Sequence, residues 1–296
     1  MQVLGVFREK EFSNKAVEAD RAILEEVLQW LESHLLEEVE VTRLTPKQFL
    51  KSDWDGDLIL SMAQGQSVLD KLESHPAVKI NSVSAIRNCM RSRLVRYLLS
   101  ENIPCPPSKE IFLDSFQTDQ SLFSENGKSL SLQKGLWLKR GDFHALDDQD
   151  VLYAPNEKVA FQALKQFQKR GVTSVLIQEH VHGHVLKFYA TANGFFSFRW
   201  MEGSFRGEIV PDKNPPVFNQ EFFKSQIIEI SKLLGLEVFG GDAVITSSGQ
   251  VFFIDINDWP SFRTCRNEAS HAIASYALAR FIERAQKSNS FAQAVF

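Results

Sequence analysis

The chain has 296 residues, 44% of them hydrophobic and 24% charged, with a formal net charge of -4. That is ordinary globular composition, long enough for two or three lobes, and its weak acidity argues against a general nucleic-acid binder, which needs a basic surface. Cys89, Cys105 and Cys265 are too scattered for a disulfide framework. With no signal-peptide core and no apolar run of ~18–20 residues, a cytoplasmic protein without a membrane partner is expected.

Residues 2–7 (QVLGVF) predict a first strand and residues 22–36 an amphipathic helix. Residues 39–44 and 57–63 (DLILSMA) predict two more strands, and residues 67–73 a short helix. This β-α-β alternation describes a small open α/β lobe. Residues 82–99 predict a single helix with Ser84 as its N-cap and Ile86, Met90, Leu94 and Leu98 recurring every four residues. The prolines of NIPCPPS stop it.

Residues 114–135 are polar and predict a long loop without regular structure. LWLKR (136–140) predicts a strand, residues 157–170 a helix closed by Gly171, and residues 174–181 (SVLIQEHV) a further strand. Residues 184–191 and 195–201 pair around Ala192-Asn193-Gly194, a hairpin signal. A helix over residues 222–234 ends on Gly235 as its C′ residue, and the last helix, over residues 268–287, buries an alanine-rich face.

The chemistry concentrates in GGDAVITSSGQVFFIDIND (240–258). A two-residue turn at Ser248-Gly249 sets Asp242 opposite Asp255 and puts Asn257 on the same face. Val244, Val251 and Phe253 then continue that face toward the turn. Two carboxylates this close repel. A hard divalent cation with oxygen ligands, Mg²⁺ or Mn²⁺, relieves the repulsion. An arginine or lysine would relieve it as well, and a one-residue slip would separate the pair.

This arrangement resembles the ATP-grasp superfamily, which closes its active site with an acidic residue on one strand and an acidic-x-Asn pair on the next. The resemblance covers about residues 84–262 and implies an α/β (α+β) fold of three lobes: an N-terminal open α/β lobe (1–82), a linking helix and central lobe (83–181), and a C-terminal lobe (182–296). It implies Mg²⁺ or Mn²⁺ on Asp242, Asp255 and Asn257, and a phosphate-gripping Lys139 in LWLKR. It also implies an adenine-facing hinge at Gln178, Glu179, His180 and Val181, with Lys187 and Arg91 as further cations near the γ-phosphate. Ribosomal-protein glutamate ligases, glutathione synthetases and inositol trisphosphate 5/6-kinases look similar.

The activity so implied is an ATP-dependent carboxylate–amine ligase acting on ATP, a small carboxylate or peptide, and an amine, with Arg199 or Arg263 holding the carboxylate. A small-molecule kinase on the same fold and a non-catalytic nucleotide-binding module are the alternatives. Two features depart from the family pattern. The central loop RGDFHALDDQD holds one glycine and four aspartates, and Val185 stands where an acidic residue usually binds the ribose. Arg199, Arg206, Arg263 and Arg266 are suited to recognising carboxylate or phosphate. His180, His182 and His184 alternate along a strand, ~6.6–7 Å apart, too far to converge on one zinc. No P-loop, G-x-G-x-x-G, G-x-S-x-G or H-E-x-x-H pattern occurs.

Overall fold

The computed structural model describes residues 1–13, 16–34, 39–114, 124–125, 128–143, 145–201 and 214–294. Its N-terminal part runs β1 (Gln2–Val6), α1 (Val17–His34), β2 (Glu40–Leu44), α2 (Pro46–Lys51), β3 (Leu58–Ser61), α3 (Gln66–Ser74) and β4 (Val78–Ile80). The strands form a parallel sheet ordered β2-β1-β3-β4. α2 was not expected, although its start carries a capping box. The Thr45 Oγ1 accepts from the Gln48 N–H at 3.3 Å, and the Gln48 side chain accepts from the Thr45 N–H at 2.9 Å. The last two residues of the predicted first helix, 35 and 36, lie outside the described residues.

The predicted helix over 82–99 is in fact two helices, α4 (Val83–Asn88) and α5 (Arg91–Ser100). Met90 between them is extended, with φ -58° and ψ 127°. The cap of α4 is Ser82, not Ser84: its hydroxyl accepts from the Ala85 N–H at 3.2 Å. Both helices bury Ala85, Cys89, Leu94 and Leu98 against the C-terminal sheet. The break matters because it puts Arg91 at a helix start that faces the site.

The central part comprises β5 (Ser108–Phe112), the two-residue pair β6 (Ser124–Glu125) and β7 (Lys128–Ser129), β8 (Leu136–Arg140), β9 (Val151–Ala154), α6 (Glu157–Lys169) and β10 (Ser174–Glu179). The expected loop over 114–135 therefore holds a small hairpin and a 3-10 turn at Leu132–Lys134. Its residues 115–123 and 126–127 lie outside the description. An antiparallel sheet ordered β5-β10-β8-β9 packs on the apolar face of α6, where Ala160, Leu164 and Phe167 are fully buried.

The C-terminal part has β11 (His184–Thr191), β12 (Phe196–Trp200), α7 (Gln220–Leu234), β13 (Val238–Ile245), β14 (Val251–Asp258) and α8 (Arg266–Ala294). Its antiparallel sheet is ordered β12-β11-β13-β14. α7 ends as expected on Gly235, whose φ of 71° is left-handed. One face of this sheet packs on α4, α5 and α7. At the other, Tyr189, Val238, Trp259 and Phe262 share a core with Val3, Leu24 and Leu58 of the N-terminal part and with Ala269, Ile273 and Ala277 of α8. Among the described residues, no helix is long and apolar enough to cross a membrane.

Candidate active site

The β13–β14 hairpin builds one wall of the site. Asp242 lies opposite Asp255, and Gly240 lies opposite Asn257. The route to that register differs from the expected one. The connection is a three-residue loop closed by the Thr246 N–H donating to the Gln250 carbonyl at 2.9 Å, with Gly249 left-handed at φ 80°. Next to the loop, Ala243 faces Phe253, so Ile254 is an extra, bulged residue that restores the pairing before Asp255. Val251 and Phe253 are therefore on the opposite face from the aspartates. Phe253 is fully buried against Phe188 and Phe223, at ring distances of 5.9 and 5.3 Å. Only Val244 stays on the acidic face, and there it lines the cavity.

The bulge has a second consequence: the Ile254 carbonyl accepts from the Lys139 Nζ at 3.1 Å. Strands come so close here that Gly241 tolerates no side chain. A Cβ there would lie 2.2 Å from the Asp255 carbonyl oxygen and 2.9 Å from the Phe188 ring.

Cations offset the opposed carboxylates. Lys187, on β11, donates to Asp242 Oδ1 at 3.1 Å. The Asp242 charge raises the Lys187 pKa against the opposing effect of burial. Arg91 is 4% exposed; its Nη2 lies 3.7 Å from Asp255 Oδ2 and its Nη1 donates to the Arg140 carbonyl at 3.1 Å. Asn257 Nδ2 lies 3.4 Å from Asp255 Oδ2. Arg199 pairs across the strands with Lys187. Each carboxylate thus has a cation of its own.

A divalent cation with an anionic ligand also fits this wall. The Nε atoms of Arg91 and Arg199 are buried without a hydrogen-bond partner, leaving donor capacity near the carboxylates. The oxygens of Asp242, Asp255 and Asn257 are the hard donors that Mg²⁺ prefers. Among the described residues, no group of three His, Cys, Asp or Glu side chains could hold a metal, so the available set is two carboxylates and an amide.

These groups face an open-mouthed cleft between the central and C-terminal sheets. Arg91, Lys139, Gln178, Glu179, His180, Val181, Val185, Asp242 and Asp255 all line it. Lys139 is held by the Gln178 side-chain carbonyl at 2.7 Å, and Gln178 in turn donates to Ser108 Oγ at 3.0 Å. The Glu179 carboxylate accepts from the Ser131 N–H at 2.6 Å. His180 Nδ1 accepts from Trp137 Nε1, which can only donate, at 3.1 Å, and this leaves Nε2 as the ring's donor. That Nε2 donates to His182 Nδ1 at 3.0 Å. His184 instead packs its ring against Trp200.

The acidic central loop is bound within its own lobe. Asp142 accepts from Arg140 at 2.6 Å and from the Thr173 N–H at 3.1 Å. The fully buried Asp150 accepts from Arg170 at 2.6 Å and from the Leu146 N–H at 2.8 Å. Asp147 caps the Gln149 N–H at 2.7 Å. Burial, then the charges of Asp258 and Asp255, hold the Cys89 thiol well above its usual pKa, so it is not a nucleophile at neutral pH.

Two expected residues, Arg263 and Arg266, lie elsewhere. Arg263 lines a separate crevice with Ala16, Val17, Glu18 and Arg266, away from this cleft. Arg206 lies outside the described residues. Sequence reasoning missed Trp137, Pro106 and Ile254, which also line the cavity. Trp137 carried a readable signal, because it alternates with Lys139 along β8 and so shares its face.

The sequence matches no protein-family profile and no curated protein. Solved structures do match over nearly the whole chain. The D-alanine–D-alanine ligase from Bacillus anthracis complexed with ATP has a TM-score of 0.70 at 15% identity, over 98% of this chain and 99% of that one. The D-alanine–D-alanine ligase from Coxiella burnetii has a TM-score of 0.67 at 12% identity, over 98% and 99%. D-alanyl-alanine synthetase A from Vibrio cholerae has a TM-score of 0.67 at 13% identity, over 96% and 98%. With three four-stranded sheets in this order and a cleft between the second and third, the chain has the ATP-grasp fold.

Proposed function

We propose that the chain is an ATP- and Mg²⁺-dependent carboxylate–amine ligase that forms an amide or peptide bond through an acyl phosphate. One observation carries this reading: opposed Asp242 and Asp255 share a cavity with Lys139 and Arg91, while Lys187 bonds Asp242. The B. anthracis ligase of the same fold is complexed with ATP, which supports a nucleotide in that cavity and an amino-acid-like substrate beside it.

In this reading Lys139, aimed by Gln178 and the Ile254 carbonyl, grips the nucleotide phosphates. The hinge from Gln178 to Val181 walls the adenine. Lys187 and Arg91 face the transferring phosphoryl group and lower its barrier electrostatically, which is most of what such a transfer needs. Asp242, Asp255 and Asn257 would hold Mg²⁺, which supplies charge neutralisation at the phosphates when bound. The substrate carboxylate, held by Arg199, attacks the γ-phosphorus and ADP leaves. The amine then attacks the acyl carbon and expels inorganic phosphate. The chain contributes no covalent nucleophile. The aspartates of the central loop bond to arginines and backbone N–H groups, so the loop's acidity does not count against nucleotide binding.

Hydroxylamine trapping is the test. With ATP, Mg²⁺ and a panel of amino and dicarboxylic acids, a ligase yields ADP and a hydroxamate, and Asp255→Asn lowers the rate by about 10²–10³-fold. ADP without hydroxamate, together with a stable phosphate ester, would establish the kinase instead. No ADP with any acid would leave a nucleotide-binding module.

A further inference from the structure

The strand that ends in Asp255 and Asn257 is fastened at its far end to the N-terminal lobe. Arg8, in the loop after β1, has a side chain only 11% exposed. Its Nη2 donates to the carbonyls of Trp259 at 2.8 Å and Asp258 at 3.3 Å, the two residues that follow Asn257. Its Nε donates to the Met62 carbonyl just past β3 at 3.1 Å, and its Nη1 to Asp20 of α1 at 3.4 Å. Ser13 Oγ holds the same Asp20 oxygen at 2.8 Å. One guanidinium thus ties β3, α1 and the exit of β14 together.

That exit needs holding. Trp259 and Phe262 both take left-handed backbone, at φ 39° and 47°, which large side chains adopt only when their surroundings impose it. Gln64 adds a second tie, donating to Asp258 Oδ1 at 3.0 Å. A planar fork suits this task. Its donors leave in fixed directions and reach carbonyls on two separate elements at once, whereas an ammonium is a point charge on a flexible stem.

We infer that Arg8 is a positioning residue for the metal-ligand end of β14: through the Asp258 and Trp259 carbonyls it fixes where Asn257 and Asp255 present their oxygens. The inference rests on the ligase reading of those three side chains. It predicts an effect on metal affinity that exceeds any effect on the nucleotide, because Arg8 is not among the residues lining the cleft between the central and C-terminal sheets.

Mn²⁺ serves as the probe, titrated by electron paramagnetic resonance in the presence of a non-hydrolysable ATP analogue. Metal-free analogue binding and melting temperature are read in parallel. Arg8→Lys is expected to weaken Mn²⁺ binding about 10-fold, as loss of an outer support for a metal ligand commonly does. Its metal-free analogue affinity should stay within a factor of about two, a window well below that change. Asp20→Asn, which loosens the guanidinium without removing it, weakens Mn²⁺ in the same direction by less.

If wild type binds Mn²⁺ with the analogue and neither folded variant differs from it, the role of Arg8 is overturned and the ligase reading stands. If Arg8→Lys fails to fold, an unchanged Mn²⁺ affinity in Asp20→Asn overturns the inference by itself. If wild type binds no Mn²⁺ with the analogue, the metal reading of Asp242, Asp255 and Asn257 falls, and the inference falls with it.

Discussion

Two junctions meet at the candidate site, and they are built differently. Between the N- and C-terminal sheets runs a continuous core in which Val3, Leu24 and Leu58 pack with Val238, Trp259 and Ile273. Buried hydrogen bonds lace it. Asn81, 3% exposed, accepts from the N–H groups of Glu237 at 2.7 Å and Val238 at 3.0 Å, and donates to the Val238 carbonyl at 2.7 Å. Trp259 Nε1 donates to the Ile80 carbonyl at 3.1 Å. The central lobe, by contrast, closes a core of its own from Ile111, Leu138, Leu164, Phe167 and Ile177. Toward the site, it meets the rest through polar contacts such as Lys139 to Ile254 and Arg91 to Arg140. The carboxylates therefore ride on the fused pair of sheets, and Lys139 rides on a separately cored lobe. Lobes joined by small polar contacts move relative to one another more readily than lobes sharing an apolar core.

The sharpest way to break this comparison is to damage one core and watch the other. Phe167→Ala empties the centre of the central lobe and costs about 3–5 kcal/mol. Separate cores predict that calorimetry resolves a low-temperature transition for the central lobe, with the remaining transition near its wild-type temperature. A single transition shifted as a whole would show that the two cores unfold together.

Two asparagines compare the laced seam with an exposed helix end of the central lobe. Asn81→Ala strands the buried Val238 N–H and the partly buried Glu237 N–H, and keeps a left-handed backbone, at φ 24°, that alanine does not favour. The expected loss is about 2–4 kcal/mol. Asn156→Ala removes the cap of α6, whose side chain accepts from the Val159 N–H at 3.0 Å, and costs about 1 kcal/mol. Chemical denaturation of both variants checks the order. Equal losses would mean that the laced seam is no stiffer than an exposed helix end.

The sequence makes some of this visible and hides the rest for physical reasons. Periodicity and turn chemistry are local, so α1, α6, α7 and the β11–β12 hairpin could be read directly. The opposition of Asp242 and Asp255 was read correctly through two offsetting differences: a loop one residue longer than expected, and a bulge at Ile254 that cancels it. Nothing local announces that bulge. The break at Met90 is equally hidden, because the apolar pattern runs through it and tertiary packing decides. Arg8 and Asn81 could not be found by pattern at all. Their partners lie 250 and 157 residues away in sequence.

The finest test of the comparison concerns charge within the C-terminal sheet. The Lys187 pKa is raised, first by the Asp242 charge and against burial. A group raised in the folded state contributes stability that is complete below its unfolded pKa and is lost as pH rises through the folded one. Wild type should therefore lose a small increment of stability only in the alkaline range. Asp242→Asn removes the largest raising influence and leaves burial as the largest that remains. Lys187 then titrates at lower pH, and the alkaline loss of stability shrinks. A lysine-resolved NMR titration, with denaturation at several alkaline pH values, checks both signs. An unmoved Lys187 titration would mean that the strand pair does not hold lysine and aspartate in contact, and that the fused sheets fix the backbone without fixing the charges they carry.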